Sequence, residues 1–321
     1  MKKTLTLLVC LMSFFQSYSQ EIEESMLIMF WNLENFYDYI DQGTGESDRE
    51  FSSTGTRYWT KRKFYAKCDA IAKSILWIGE RYGRMPDLIG LAEVENKGVL
   101  YRLLDYTLLR KYDYGIVHYD SNDRRGIDVA ILYRKSSMQL LNTSLRVPEY
   151  NSERLATRDI LHAQMRLNSG KVYDFIINHH PSKYGGSDES HGKRHAAMNT
   201  MKELCDSLLS ERLIIMGDFN DTPDSDTFRI MDQSTVNKGM ELHENGEGTI
   251  RYEGKWELID MFIVSPSLDE VTEMQVCRIP FLMTWDSRHS GEKPYRTYSG
   301  PRYIGGVSDH CSIILRFSCI K

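Results

Sequence analysis

The sequence contains few cysteines and prolines, and it has no excess of positive charge. Its 321 residues include 6 cysteines and 8 prolines, and 40 basic side chains stand against 45 acidic ones. With a hydrophobic fraction of 41% and a charged fraction of 26%, these values exclude collagen-like, disordered and polytopic membrane proteins. The net charge of −5 excludes a simple polyanion-binding module, although a metal ion or local arginines can still neutralise a phosphate.

The cysteines lack the CxxC spacing of a cysteine-based zinc or redox site. One of them, Cys10, lies in the first apolar run of the chain. The other cysteines are Cys68, Cys205, Cys277, Cys311 and Cys319. Because five thiols cannot all pair internally, we expect mostly buried free thiols, with at most one or two disulfides.

Long apolar runs are missing beyond the first residues. Lys2 and Lys3 precede a mostly apolar run over 4–15, and Ser17 and Ser19 are small residues at the cleavage positions of a secretory signal. We therefore predict a signal peptide over 1–19, with a retained anchor as the alternative, and an exported protein, periplasmic or extracellular, without an integral membrane span. Loss of these residues removes two lysines and makes the formal charge −7.

Short apolar runs alternate with amphipathic stretches, which predicts a single mixed α/β domain over 20–321. We predict strands over 26–31, 87–94, 127–133, 172–178, 213–217, 258–264 and 311–317. Helical spacing of apolar residues predicts helices over 61–82, 97–112 and 191–212. Polar, glycine-bearing stretches predict surface loops over 41–57 and 182–194, and 283–304 also has the character of a long loop.

Polar side chains suited to phosphate chemistry stand at seven predicted strand ends. They are Asn32, Glu93, Asp128, His179, Asp218 with Asn220, Asp260, and Asp309 with His310. Each of them alone has an ordinary explanation as a cap, a turn residue or a solvated strand end. Together they form a set of hard donors that suits Mg²⁺, Mn²⁺ or Ca²⁺.

Such a set allows water to attack a phosphate ester. An ion held by Glu93 and Asp309 would polarise a phosphoryl oxygen, and a histidine oriented by a carboxylate would accept the proton of water. Uncharged donors such as Asn220, and a positively charged Arg125 or His179, would support the transition state. The residues thus predict a metal-dependent hydrolase of phosphate esters.

Seven motifs in the same order resemble the endonuclease/exonuclease/phosphatase superfamily, which includes deoxyribonuclease I-like enzymes. They are FWNLENFYD at 30–38, LAEVEN at 91–96, RGIDVAILY at 125–133, INHHPSKYGG at 177–186, GDFND at 217–221, ELID at 257–260 and SDH at 308–310. The opening motif looks most like a secreted bacterial branch. The resemblance implies a four-layer α/β sandwich of two mixed β-sheets flanked by helices.

The same resemblance implies a role for each matching residue. Its metal ligands would be Glu93, Asn32 and Asp309; its catalytic residues would be His179, Asp218, Asn220, Asp260 and His310. His310 would be the general base, and Asp260 would orient it. Substrate would be held by Arg125, Asn220 and His179, whereas Asp128 could be structural and His180 would be a wall residue.

These observations predict a secreted, monomeric phosphodiesterase that uses Mg²⁺, or else Mn²⁺ or Ca²⁺, and cleaves DNA or RNA. A phosphatase or a sphingomyelinase-type phospholipase C, acting on small or lipid phosphates, remains the alternative. A third interpretation is a non-catalytic binding protein of the same fold. The presence of Glu93, His310 and the GDFN motif weighs against it.

Overall fold

The computed structural model describes residues 25–43, 45–183, 187–231 and 234–317, with only the backbone described at 187–188. The predicted signal peptide over 1–19, and with it Cys10, lies outside the described residues, as does Cys319. The predicted export and the state of these two cysteines therefore stay predictions.

Two mixed sheets of six strands each account for the main strands of the described residues. In chain order the strands are β1 (Leu27–Phe36), β2 (Leu88–Val94), β3 (Tyr114–His118), β4 (Asp128–Arg134), β5 (Met138–Arg146), β6 (Ile160–Leu167), β7 (Val172–His179), β8 (Leu213–Asp218), β9 (Val236–Asn237), β10 (Asp260–Val264), β11 (Thr272–Cys277) and β12 (Ser312–Phe317). The first sheet has the order β11-β12-β1-β2-β4-β3, and the second has β9-β10-β8-β7-β6-β5.

Each sheet contains one parallel pair at its centre, and its other pairs are antiparallel. The parallel pairs are β1 with β2 and β7 with β8, and a helix connects the two strands of each pair. A helical crossover of this kind brings the carboxyl ends of the two strands to one edge of the sheet. Although the sequence shows no repeat, the two sheets therefore share the connectivity of this central β–α–β unit.

In the described part of the chain, four α-helices accompany the sheets, and two of them begin at side-chain caps. They are α1 (Lys61–Arg81), α2 (Lys97–Asp105), α3 (Ser187–Leu208) and the short α4 (Met240–Glu244). Thr60 accepts a hydrogen bond from the Lys63 amide, and Asn96 accepts one from the Val99 amide, so α1 and α2 each start with a satisfied backbone donor. The predicted α1 stripe, which includes Phe64 and Ile71, is buried.

Alternate residues of the central strands enter two different hydrophobic cores. Phe30 packs between the sheets with Phe175 and Met216, whereas its neighbour Trp31 packs with α1 residues such as Ile71 on the outer face of the first sheet. Both faces of β1 are therefore buried, which explains its uninterrupted apolar sequence. The predicted α/β sandwich of two mixed sheets with helices is confirmed.

Three sequence predictions about local structure were wrong in part. Helix α3 begins at Ser187, inside the predicted loop over 182–194; Gly192 lies on it against Tyr150, so this glycine serves packing and not a turn. The predicted helix over 97–112 ends at Asp105, because Thr107 caps a separate 3₁₀ turn. The predicted loop over 283–304 contains the hairpins Met283–Trp285 with Glu292–Pro294 and Tyr298–Ser299 with Arg302–Tyr303.

The described cysteines are buried free thiols. Cys68, Cys205, Cys277 and Cys311 each lie in the interior without a disulfide partner, as the sequence predicts. Among the residues that the structure describes, no helix is both long and apolar enough to cross a membrane.

Candidate active site

The predicted site residues meet at one edge of the sandwich, where the parallel strands of both sheets end. The Nδ2 of Asn32, on β1, donates to the Oδ2 of Asp218, on β8, across 3.0 Å. The Nε2 of His179, at the end of β7, lies 3.5 Å from the same oxygen. One carboxylate oxygen of Asp218 thus joins the two sheets.

His310 stands between two carboxylates of the second sheet. Its Nδ1 lies 2.8 Å from the Oδ2 of Asp260, and its Nε2 lies 3.8 Å from the Oδ2 of Asp218. Asp218 and Asp260 are direct partners in the pairing of β8 with β10, which explains why they reach one imidazole from two strands. Asp309 lies beside them, with its Oδ1 at 3.9 Å from the Nε2 of His310.

The two histidines of the site have opposite charge preferences. Burial alone would lower the pKa of His310, but the charge and hydrogen bond of Asp260 raise it well above its usual value. Burial, then the positive charges of Arg158 and Arg125, lower the pKa of His179 well below its usual value. This lowered pKa argues against a positively charged His179 and favours the neutral ring, which has one N–H donor and one acceptor nitrogen.

Asn220 is held in the left-handed backbone region, with φ at 51°. Its amide N–H donates to the Oδ1 of Asp218 at 2.9 Å, and its Nδ2 donates to the backbone oxygen of His180 at 3.0 Å. Asparagine tolerates this conformation better than most residues because its short polar side chain bonds locally. The GDFN turn thereby brings Asn220 beside Asp218.

Glu93 lies at a bulge of β2 and is bound by an arginine. Its carboxylate oxygens lie 3.0 and 3.3 Å from the guanidinium nitrogens of Arg125, and its Oε2 accepts the amide N–H of Asn35 at 2.7 Å. Burial would raise the pKa of Glu93, but the charge and hydrogen bonds of Arg125 lower it to about 2. Glu93 is thus a permanent carboxylate at the site.

Backbone strain concentrates at the same edge. Glu34, Asn35 and Glu93 have φ values of 48°, 55° and 61°, in the left-handed region that side-chain-bearing residues rarely adopt. The first two form the bulge of β1 opposite Glu93. Such strain persists where surrounding structure over-determines it, and it clusters at functional sites.

Sequence reasoning missed Arg296 and Lys67. The guanidinium of Arg296 lies 2.9 Å from Glu34 and 3.0 Å from Asp309, so it bridges two carboxylates of the site. The buried Nζ of Lys67 donates to the backbone oxygen of Glu34 at 2.5 Å and to the hydroxyl of Thr297 at 2.9 Å. The only signal was position: Arg296 comes shortly before the SDH motif, and Lys67 is a basic residue on the buried side of a helix.

Arg158 is a second missed arginine, and it fixes the backbone beside the site. It donates to the backbone oxygens of His179 at 3.2 Å and His180 at 2.7 Å, and it pairs with Asp123 at 3.1 Å. No motif marks it in the sequence. Its partners are carbonyl groups, which sequence patterns do not reveal.

The fold and this arrangement of carboxylates, imidazoles and arginines at the sheet edge define an α/β class of phosphoester hydrolases. The chain belongs to the endonuclease/exonuclease/phosphatase family, whose family model matches residues 27–318. The resemblance stated from the motifs is therefore confirmed at the level of the family. A comparison with curated protein sequences gives no match.

Solved structures of the same fold share little sequence with this chain. A family protein from Bacteroides thetaiotaomicron is 17% identical, with 92% of this chain and 98% of that chain covered and a TM-score of 0.58. A mannosyl-6-phosphatase from the same organism is 14% identical, with 90% and 98% covered and a TM-score of 0.56. D. rerio TDP2, in complex with a single-strand DNA product, is 14% identical, with 92% and 99% covered and a TM-score of 0.53.

Members of this family hydrolyse phosphoester bonds and depend on divalent metal ions. The chemistry of this donor set fits such an ion, because Glu93 and Asp309 offer carboxylate oxygens and Asn32 an amide oxygen, the hard ligands that divalent ions such as Mg²⁺ prefer. Among the described residues, Asp218, Asp260 and His310 also place ligand atoms within 4.8 Å of one another. The individual roles of the predicted ligands and catalytic residues stay predictions.

Proposed function

We propose that this chain is an exported phosphodiesterase that depends on a divalent metal ion, Mg²⁺ first, and cleaves DNA or RNA. The observation that carries the proposal is the Asp260–His310 pair beside Asp218. Because the Nδ1 of His310 is 2.8 Å from Asp260, the ring is oriented with its Nε2 toward the site interior. This is the arrangement of a general base whose second nitrogen is held by a carboxylate.

The proposed reaction is the attack of water on phosphorus. The water oxygen forms the new phosphorus–oxygen bond, its proton passes to the Nε2 of His310, and the ester bond breaks with the leaving oxygen taking a proton from solvent. Asp260 and Asp218, which face the two ring nitrogens, stabilise the imidazolium that forms. Side chains of this protein therefore orient the general base and stabilise its protonated form.

Other side chains stabilise the charge of the phosphoryl group. Neutral His179 donates an N–H, Asn220 offers an amide, and the half-exposed Arg125 and Arg296 offer guanidinium groups on the side of Glu93 and Asp309. Glu93, with Asp309 and Asn32, would hold the metal ion, which when bound supplies Lewis-acid polarisation of a phosphoryl oxygen. We propose these roles from donor chemistry and position.

A cavity of about 400 Å³ beside Asn220 supports a substrate larger than a lone phosphate. It is lined in part by Lys183 and by Tyr252, which is 63% exposed. An exposed aromatic ring next to a cation suits a nucleotide, because the ring can stack on a base and the ammonium can bind a neighbouring phosphate. This lining favours nucleic acid among the phosphodiesters.

The second candidate is a phosphatase or phospholipase C-like hydrolase of small or lipid phosphates. The net charge of −5 favours it, because an acidic protein gains no long-range attraction toward a polyanion. A structural neighbour is a mannosyl-6-phosphatase, so the fold accommodates small sugar phosphates. The two candidates share the same site and differ in what fills the Tyr252 cavity.

A substrate panel separates the two candidates. Purified protein is incubated with plasmid DNA, single-stranded DNA, RNA, sphingomyelin, mannose 6-phosphate and p-nitrophenyl phosphate, each with Mg²⁺, Mn²⁺, Ca²⁺ or EDTA. We expect metal-dependent cleavage of nucleic acid, and we expect Tyr252→Ala to raise KM for it more than for p-nitrophenyl phosphate. Intact nucleic acid together with hydrolysis of the lipid or the sugar phosphate would assign the second candidate instead.

A further inference from the structure

A second histidine–aspartate cluster lies on the first sheet, outside the candidate active site. His118 ends β3, Asp128 begins β4, and Asp120 lies in the loop between these antiparallel strands. The three side chains place ligand atoms within 4.8 Å of one another. The phosphate chemistry described above uses none of them.

The buried imidazole of this cluster has a nitrogen without a hydrogen bond. His118 is 7% exposed, and its Nε2 makes no hydrogen bond in the structure. That nitrogen lies 3.4 Å from the Oδ2 of Asp128. A buried polar atom without a hydrogen bond destabilises the folded state, and a ligand bound at this nitrogen would remove that penalty.

Asp128 is oriented as a ligand would be. Its Oδ1 accepts the amide N–H of Ser121 at 2.9 Å and also the Ser121 hydroxyl. These bonds occupy one carboxylate oxygen and leave Oδ2 facing His118. Hydrogen bonds of this kind to ligating carboxylates fix their orientation in metal sites. Asp120 is exposed, so its carboxylate can complete the set from the solvent side.

We propose that His118, Asp120 and Asp128 form a second divalent metal site, which takes Zn²⁺. Two ligands that each lie about 2.1 Å from a tetrahedral ion stand about 3.4 Å apart, and this is the separation of the Nε2 of His118 and the Oδ2 of Asp128. One imidazole and two carboxylates favour zinc over magnesium or calcium, which prefer oxygen ligands alone. Water would fill the fourth position.

The position of the site gives it a structural role. The segment that joins His118 to Asp128 carries Arg125, whose guanidinium binds Glu93. An ion that joins the start of this segment to its end would fasten the loop from which Arg125 reaches the active site. The bound ion is thus expected to stabilise the folded protein and to hold Arg125 in place, and it takes no part in the chemistry.

Zinc binding to the full chain tests the site. The protein carries Glu93→Gln to weaken the candidate catalytic site, is stripped with EDTA, and is titrated with Zn²⁺ in competition with a chromophoric chelator. We expect one tight equivalent of Zn²⁺ and a rise in Tm of about 3 °C or more at saturation. Bound Co²⁺ should show the strong visible absorption of a tetrahedral site.

Three variants decide the outcome. His118→Gln and Asp120→Asn should each weaken Zn²⁺ binding at least tenfold and remove the rise in Tm. His191→Gln is the matched control, because His191 is also paired with an aspartate, Asp226 at 2.8 Å, but is exposed and distant in the chain. Asp120 is exposed, so its variant remains informative if His118→Gln does not fold. Equal Zn²⁺ affinity in Asp120→Asn and His191→Gln would overturn the proposal, whatever the substrate panel shows.

Discussion

The two sheets share a central β–α–β unit, yet the corresponding strand ends of these units have different partners. The unit β1–α1–β2 of the first sheet corresponds to β7–α3–β8 of the second. Glu93 on β2 therefore corresponds to Asp218 on β8. Glu93 is bound by the guanidinium of Arg125, whereas Asp218 faces the imidazoles of His179 and His310.

The difference appears in the two carboxylate pKa values. Burial raises the pKa of both groups, but Arg125 overrides it and lowers that of Glu93 to about 2. At Asp218 the nearby charge of Asp260 adds to burial, and the pKa rises. One scaffold thus provides a permanent negative charge on one side and proton-exchanging groups on the other. We infer that the first sheet holds cations and the second handles protons.

Removal of the negative charge of Glu93, on the first sheet, should have the largest effect on activity. Glu93→Gln keeps the size of the side chain and removes the carboxylate that we propose as metal ligand. Several kcal/mol of electrostatic stabilisation would be lost, so kcat should fall about 10³-fold or more. The measurement is initial rates at saturating Mg²⁺, with isothermal titration of Mg²⁺ binding.

Glu95→Gln is the matched control for this variant. Burial raises the pKa of Glu95 to about 8, so its carboxyl group is protonated at neutral pH and glutamine replaces a neutral group. It accepts the Asp38 amide N–H at 2.6 Å, which a glutamine oxygen can also do. Its rate should stay within about twofold of wild type. Equal rates in Glu93→Gln and wild type would remove the first sheet from the proposed chemistry.

Removal of the imidazole that faces Asp218 and Asp260 of the second sheet tests the other half of the comparison. His310→Gln should lower kcat by about 10²–10⁴-fold, the range of a positioned general base, with Mg²⁺ affinity changed much less. His162→Gln is the control: His162 is another buried histidine paired with an aspartate, at 2.8 Å from Asp174 on the second sheet, but it is not at the site. If His310→Gln instead abolished Mg²⁺ binding with a small effect on kcat, the division between the sheets would be wrong.

Replacement of Arg296 should lower activity less than the substitutions of Glu93 and His310, and its effect should be confined to the first-sheet side of the site. Lysine keeps the charge but cannot bridge Glu34 and Asp309 with one planar group, so Arg296→Lys should lower kcat/KM about tenfold. Most of the change should appear in KM, because we propose that the guanidinium holds a substrate phosphate. Arg316→Lys, at an exposed pair with Glu273, should be silent in the same assay. A loss in kcat alone would indicate a different role.

The fold and most of the site could be predicted from the sequence because both depend on short segments. Buried strands appear as apolar runs, and a polar residue that ends such a run marks the edge where parallel strands finish. All seven predicted strands are present, and their ends differ from the predicted ones by at most five residues. The convergence of Asn32, Asp218 and His310 follows from that edge.

The missed residues depend on contacts between distant segments. Arg296 reaches Glu34 only because the hairpin segment after Met283 folds back onto β1, a separation of 262 residues. Arg158 binds carbonyl oxygens, which carry no side-chain signal. The lowered pKa of His179 likewise follows from its burial and then from the arginines that surround it in space. Sequence patterns identify which residues stand at an edge, and packing decides their charge and partners.

The smallest predicted effect concerns stability, at the histidine next to the second-sheet site. Burial first, then the charges of Arg158 and Arg194, lower the pKa of His180 to about 3, and neither ring nitrogen has a hydrogen-bond partner in the structure. The unfolded chain takes up a proton near pH 6.5, whereas the folded chain does not until about pH 3. Stability is therefore lost as the pH falls from 6.5, and at pH 5 the loss is about 2 kcal/mol.

His180→Phe should remove that loss. The ring packs edge-on against Phe219 at 5.2 Å between centroids, so a phenyl ring keeps a similar contact. Urea unfolding at pH 8 and pH 5 measures the difference: the free energy of unfolding of wild type should fall by about 2 kcal/mol more than that of the variant. Equal losses in both proteins would mean that His180 accepts a proton in the folded state. The second sheet would then hold a proton-exchanging imidazole of its own, and the contrast with the arginine-paired first sheet would extend deeper into the molecule.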